Sequence, residues 1–155
     1  LIFTGCRLNE IMTLKWAEVD LDNSCLRLSD SKTGARVVHL GSPALNLLDN
    51  LKRQPNNPWV ICGKIPGTYR KEIQKFWQRI LNRAGINDVR IHDLRHSFAS
   101  NAVAQGMSLP MIGKLLGHTQ VQTTARYAHL AADPVKAAAD AISSNIAEHL
   151  NADAA

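Results

Sequence analysis

Residues 91–117 read IHDLRHSFASNAVAQGMSLPMIGKLLG. Two helices and the punctuation between them are written into this stretch. One runs from about Ile91 to Gln105 and stops at Gly106. Ser108 and Pro110 open the next, which stops at Leu116-Gly117. A serine before the first turn, a proline within it and a glycine just past the last turn are start and stop signals with a physical basis: the serine oxygen satisfies a free N–H, and the glycine accepts a left-handed backbone. Downstream, a further helix is expected to begin within residues 120–130, and the alanine-rich Pro134 to Leu150 forms the last one.

Upstream the pattern is mixed. Leu8, Ile11, Met12 and Leu14 fall at helical spacing and end before the acidic turn Asp20-Leu21-Asp22-Asn23. Two short alternating runs follow, Cys25 to Ser29 and Arg36 to Leu40, separated by Asp30-Ser31-Lys32-Thr33-Gly34, which predicts a hairpin with a polar tip. Ser42 before Pro43 predicts a capped helix through about Leu51, and Trp59-Val60-Ile61 reads as one more short strand. Thr68 is expected to cap a long helix that turns Ile73, Phe76, Trp77, Ile80 and Leu81 inward and ends at Ala84-Gly85. Its other face carries Arg70, Lys71, Lys75, Arg79 and Arg83, a solvated face or one that tracks phosphates. The expected fold is α+β and mainly helical, with a small antiparallel sheet or hairpin on one side.

At 155 residues, with 45% hydrophobic and 20% charged side chains, the chain is one ordinary globular domain. No run approaches the length of a membrane span, and three cysteines without a C-x-x-C pair suit a reducing cytoplasm better than a disulfide framework. The chain does not begin with methionine, and Leu1 to Gly5 reads as the end of an apolar helix, so it is taken as a fragment. Charge is unevenly spread. Residues 1–127 hold 17 Lys and Arg against 9 Asp and Glu, whereas 128–155 hold one lysine against four acids. A basic body points to a polyanion as partner, nucleic acid before membrane.

No glycine-rich phosphate loop is present, so ATP is not expected, and the scattered acids offer no magnesium site for a metal-dependent nuclease. His92 and His96, four apart, have the spacing of a helical zinc site. The glutamate base of such sites is missing, however, and the charge of Arg95 opposes a metal. His96 then reads as a packing or orienting histidine. His92 and Arg95, three apart, make a better pair for a phosphate oxygen: an imidazole beside a forked guanidinium. Arg7 stands at the mouth of a helix, His118 follows a helix stop, and Tyr127 lies nine residues further on.

Taken in order, Thr4-Gly5-x-Arg7 with Glu10 and Leu14-x-Trp16, then His92-x-Leu94-Arg95-His96-Ser97, then Leu116-Gly117-His118 with Tyr127, resembles the catalytic domain of the tyrosine recombinases, the phage integrase family. The likeness covers essentially the whole chain, residues 1–155, as one catalytic domain, with the family's separate N-terminal DNA-clamping domain absent. It implies a site-specific recombinase or integrase that cleaves and rejoins DNA through a 3′-phosphotyrosine, without metal, ATP or other cofactor. Tyr127 is then the nucleophile, Arg7, Arg95, His92 and His118 hold the phosphate, and Lys32 on the hairpin tip is the acid for the leaving 5′-oxygen. The implied partners are double-stranded DNA and further protomers on it, in a cytoplasmic, bacterial or phage-derived setting. A type IB-like topoisomerase would share this mechanism. A rival of another class is a regulator without catalysis, in which residues 108–127 form a helix-turn-helix; it leaves Arg7, Lys32, His92 and Arg95 without work. The acidic segment 134–155 packs on its own domain or docks on a neighbouring subunit, and the sequence leaves both open.

Overall fold

The computed structural model of the protein describes residues 1–31, 34–130 and 134–152. Helix α1 (Leu8–Met12) is followed by a single 3-10 turn, Trp16–Glu18, and then by three short strands, β1 (Val19–Asp20), β2 (Cys25–Leu28) and β3 (Arg36–His39). They form one antiparallel sheet in the order β1-β2-β3, with Asp20 opposite Cys25 and Leu28 opposite Arg36. Helix α2 (Ser42–Asp49) closes this half. The rest is helical: α3 (Gln74–Ala84), α4 (Asp93–Ala104), α5 (Leu109–Leu116), α6 (Val121–Ala125), a 3-10 turn at Ala128–Leu130, and α7 (Pro134–Ala152).

The expected α+β architecture is present, with differences of detail. The first helix is shorter than its apolar spacing predicts. It ends at Met12, and Leu14 drops into the core instead of continuing the helix. The acidic turn is the link of an unforeseen β1–β2 hairpin, closed by the Asp20 carboxylate accepting from the Asn23 backbone N–H at 3.0 Å. Ser42 is not the cap of α2. Gly41 holds that position and Ser42 lies inside the first turn. Trp59 to Ile61 joins no sheet. It runs beside the chain after α1, making one bridge between Lys15 and Trp59 and bonds from Trp16 N to Pro58 O and from Val60 N to Leu14 O, both 2.9 Å.

The long helix starts at Gln74, with Ile73 at its cap position, so Arg70 and Lys71 precede it. Only Leu81 of its expected inward set is fully buried, while Phe76 and Ile80 stand exposed. Phe76 carries the guanidiniums of Arg70 and Arg79 over its ring, at 4.9 and 4.6 Å, so its face is covered by cations and not by apolar neighbours. The glycine stops are where the sequence placed them, at Gly85, Gly106 and Gly117, all with positive φ. Helix α7 covers the expected segment, and its side chains from Ala138 to Ala147 are exposed.

Two apolar cores result. One lies under the sheet and is built from Cys6, Leu14, Leu26, Leu28, Val38, Leu40 and Ala44. The other lies between α4, α5 and the chain after α6, and is built from Ala99, Ala102, Val103, Ile112, Leu116 and Tyr127. Burying each large aliphatic side chain stabilises by about 1.5–3 kcal/mol. Tyr127 of the second core also lines the candidate site.

Candidate active site

The last turn of an α-helix leaves carbonyls without intrahelical donors and carries the negative end of the helix dipole. In α5 that end is turned toward the sheet half. Three arginines from three different segments meet it. Arg36, at the start of β3, donates to Leu115 O at 3.3 Å. Arg95, in α4, donates to Leu116 O at 2.8 Å, and Arg7, just before α1, to Gly117 O at 3.1 Å. Arg95 also donates to Gly5 O at 2.5 Å, so one buried side chain ties the segment before α1 to the end of α5.

Like charges this close need compensation, and Glu10 supplies it. Its carboxylate accepts from Arg7 Nη1 at 2.9 Å, from Arg36 Nη2 at 2.8 Å and from the Arg7 backbone N–H at 2.8 Å. Burial acts to raise the Glu10 pKa, but the Arg7 N–H and the Arg36 guanidinium outweigh it and hold the carboxyl below its usual range. Two glycines make the approach possible. Gly5 has φ 61°, and a Cβ there would come within 2.6 Å of Phe98. Gly117 has φ 67°, and a Cβ there would collide with the Arg36 guanidinium.

The left-handed turn at Gly117 delivers His118, whose Nδ1 lies 2.8 Å from the Thr124 hydroxyl on α6. Burial first, then the charges of Arg95 and Arg7, push the His118 pKa down to about 4. The ring is therefore neutral near pH 7, and a Thr124 hydroxyl that donates to Nδ1 leaves the proton on Nε2. Tyr127 follows α6. Its ring is 6% exposed within the helical core, and its hydroxyl lies 2.5 Å from Nδ1 of His96. Burial raises its pKa, against the opposing pull of Arg126 and Arg95, so the resting side chain is the neutral phenol.

Five of the six expected site residues, Arg7, His92, Arg95, His118 and Tyr127, line one cleft of about 180 Å³. Lys32 lies outside the described residues. Its neighbours Asp30 and Ser31 line an adjoining hollow together with Arg7 and His92. Three further residues, His96, Thr123 and Arg126, also line the cleft. Arg36 and Glu10 stand behind it. Glu10 was visible as part of the motif. Arg36 was not, because alternation in a strand says which side a residue faces and not what it reaches.

The His92 and His96 rings meet edge to face at 5.0 Å, Nδ1 of His96 is taken by Tyr127, and no cluster of three ligating side chains gathers among the described residues. The segment read as a helix-turn-helix has a second helix of five residues, Val121–Ala125, with Thr124 buried and Tyr127 in the core beyond it. No helix among the described residues is long and apolar enough to cross a membrane.

Residues 1–133 match the phage integrase family. The tyrosine recombinase XerD of Yersinia pestis is 30% identical over 145 residues, which cover 86% of this chain and 48% of that protein. The crystal structure of XerA recombinase superposes with a TM-score of 0.72 at 26% identity, over 87% of this chain and 52% of that one. The XerH site-specific recombinase bound to its difH substrate superposes with a TM-score of 0.70 at 28% identity, over 89% and 43%. The chain thus spans less than half of the XerD sequence that it matches. Arg7, His92, Arg95, His118 and Tyr127 meet in one cleft within the matched region, and the chain belongs to the phage integrase family, the tyrosine recombinases.

Proposed function

We propose that this chain is the catalytic domain of a site-specific DNA recombinase that cuts and rejoins strands through a covalent 3′-phosphotyrosine at Tyr127. The observation that carries the reading is the meeting of a phenol hydroxyl with fixed guanidiniums in one small cleft. Breaking a phosphodiester without a metal needs a nucleophile, positive charge held where the transition state becomes more anionic, and a proton for the leaving oxygen. Arg7 and Arg95 hold the non-bridging oxygens. Their forks are oriented before substrate arrives, because the end of α5 and Glu10 already fix them. His118, neutral near pH 7, donates from Nε2, and His92 at the mouth of the cleft adds a further donor.

As Tyr127 attacks, the bond from phosphorus to the 5′-oxygen breaks and that oxygen takes a proton from the Lys32 ammonium. The phosphotyrosine keeps the diester's energy for rejoining, so no ATP enters. Duplex DNA is the substrate, as it is for the XerH relative caught with difH. Other protomers of the same chain are the second partner. The exposed Ile142 and Ile146, one turn apart on α7, support contact between protomers.

The test is a trapping experiment. The full-length protein is mixed with nicked duplex made from the DNA that flanks its gene, in excess chelator. The wild type is expected to form a denaturant-resistant protein–DNA adduct, and Tyr127→Phe to bind the DNA without forming one. An adduct from Tyr127→Phe, or cleavage that returns only with added zinc or magnesium, overturns the reading.

A further inference from the structure

Attack by a phenol requires that its proton go somewhere, and the expected site residues leave that place unassigned. In the structure the Tyr127 hydroxyl points to a group outside the expected set. Its described partner is Nδ1 of His96 at 2.5 Å, and the His92 ring instead meets the His96 ring edge to face. We propose that His96 is a catalytic residue, the base that receives the Tyr127 proton when the phosphotyrosine forms. The inference rests on the reading of Tyr127 as nucleophile.

Both partners are fixed. His96 follows Arg95 on α4, so the turn that anchors the guanidinium to Gly5 and Leu116 also sets the imidazole. The tyrosine ring is set by the helical core around Ala99, Ile112 and Leu116. Protonation states agree with this direction of transfer. Burial, then the His92 and Arg126 charges, lower the His96 pKa against the opposing Asp93, with Arg90 adding to the lowering. Burial raises that of Tyr127. Near pH 7 a neutral imidazole therefore accepts from a neutral phenol, and Nε2 of His96 carries its proton.

The step balances. The bond from Tyr127 Oη to phosphorus forms as the bond to the 5′-oxygen breaks. The phenol proton passes to His96, which becomes an imidazolium, and the 5′-oxygen takes its proton from Lys32, which becomes neutral. Rejoining runs the same transfers backward.

The test measures single-turnover adduct formation from pH 5 to pH 9 by the full-length protein on the nicked flanking duplex. His96→Asn keeps an oxygen that accepts from Tyr127 at the place of Nδ1 but takes no proton. It is expected to lose about 10²-fold in rate, the scale of general-base catalysis, together with the fall in rate expected of the wild type as acid protonates His96. His96→Ala is expected to lose as much and to recover in part with added imidazole. A His96→Asn rate equal to wild type, or an unchanged pH profile, reduces His96 to a positioning residue and overturns the proposal. No recovery of folded, DNA-bound His96→Ala by imidazole counts against it too. A wild type without adduct instead condemns the Tyr127 reading, which separates the two failures.

Discussion

At the end of α5 three guanidiniums meet three successive carbonyls and two of them, Arg7 and Arg36, share the Glu10 carboxylate, whereas around α3 the cations of Arg70, Lys71, Lys75 and Arg79 line an open hollow of about 440 Å³. The sign of charge is the same in both regions, but its physical state differs. Arg95 is 4% exposed and aimed by two backbone acceptors, so it stands oriented and largely stripped of water before any substrate binds. Arg70 and Arg79 lie over Phe76 and face solvent that screens them. Position and desolvation, more than the count of cations, separate a site for chemistry from a surface for holding a polyanion. The predictions that follow break that contrast or sharpen it.

The largest effect is expected from Arg95→Ala. Removing one preorganised donor from the transition state costs about 10²–10³ in rate, and the carbonyls of Gly5 and Leu116 lose a buried donor, at about 1–3 kcal/mol for a group so orphaned. Single-turnover cleavage at saturating DNA should fall accordingly, while Arg79→Ala leaves that rate unchanged. Equal losses from both would dissolve the contrast. Gly117→Ala comes next. A left-handed backbone costs an L-residue about 1–2 kcal/mol, and the added methyl drives the Arg36 guanidinium from its place. Chemical denaturation should show the stability loss, and cleavage should fall with it although no group that faces the cleft has been changed.

A smaller effect is predicted for the flank. Each cation there that contacts a phosphate contributes about 0.9 to the slope of log affinity against log salt, so Lys75→Ala and Arg79→Ala should each flatten the slope by about that much. Titrations at several salt concentrations check it, and an unchanged slope removes α3 from the DNA surface. The smallest effect concerns pH. His118 holds a folded pKa of about 4 against an ordinary 6.5, so the unfolded chain takes up a proton first as pH falls. Its contribution to stability is complete above about pH 6.5 and is lost on the way down to about 4. Urea midpoints between pH 7 and pH 4.5 should fall less steeply for His118→Gln than for the wild type. Parallel curves would mean that His118 is not desolvated as described.

Much of this was legible beforehand, and the reasons are local. Helix stops at Gly106 and Gly117, the hairpin of β2 and β3, and the order of Arg7, His92, Arg95, His118 and Tyr127 are each carried by a few neighbouring residues. What escaped depends on tertiary distance. Phe76 and Ile80 fit an apolar face by spacing, but no core lies opposite them, and two guanidiniums cover the Phe76 ring instead. Arg36 looked like an alternating strand residue, and its reach to Glu10 and Leu115 exists only once β3 packs beside α5. The sequence offers His96 as a metal ligand or as a packing or orienting side chain, because its partner Tyr127 lies 31 residues away in the chain.

The account stands on the identity of the nucleophile, and mapping the covalent bond tests it most directly. Adduct formed by the full-length protein on the nicked flanking duplex is digested with nuclease and protease, and the modified peptide is sequenced by mass spectrometry. The predicted product is the peptide that contains Tyr127, carrying a nucleotide through its 3′-phosphate, with a free 5′-hydroxyl on the other DNA end. A nucleotide on any other residue, or one attached through its 5′-phosphate, contradicts the account.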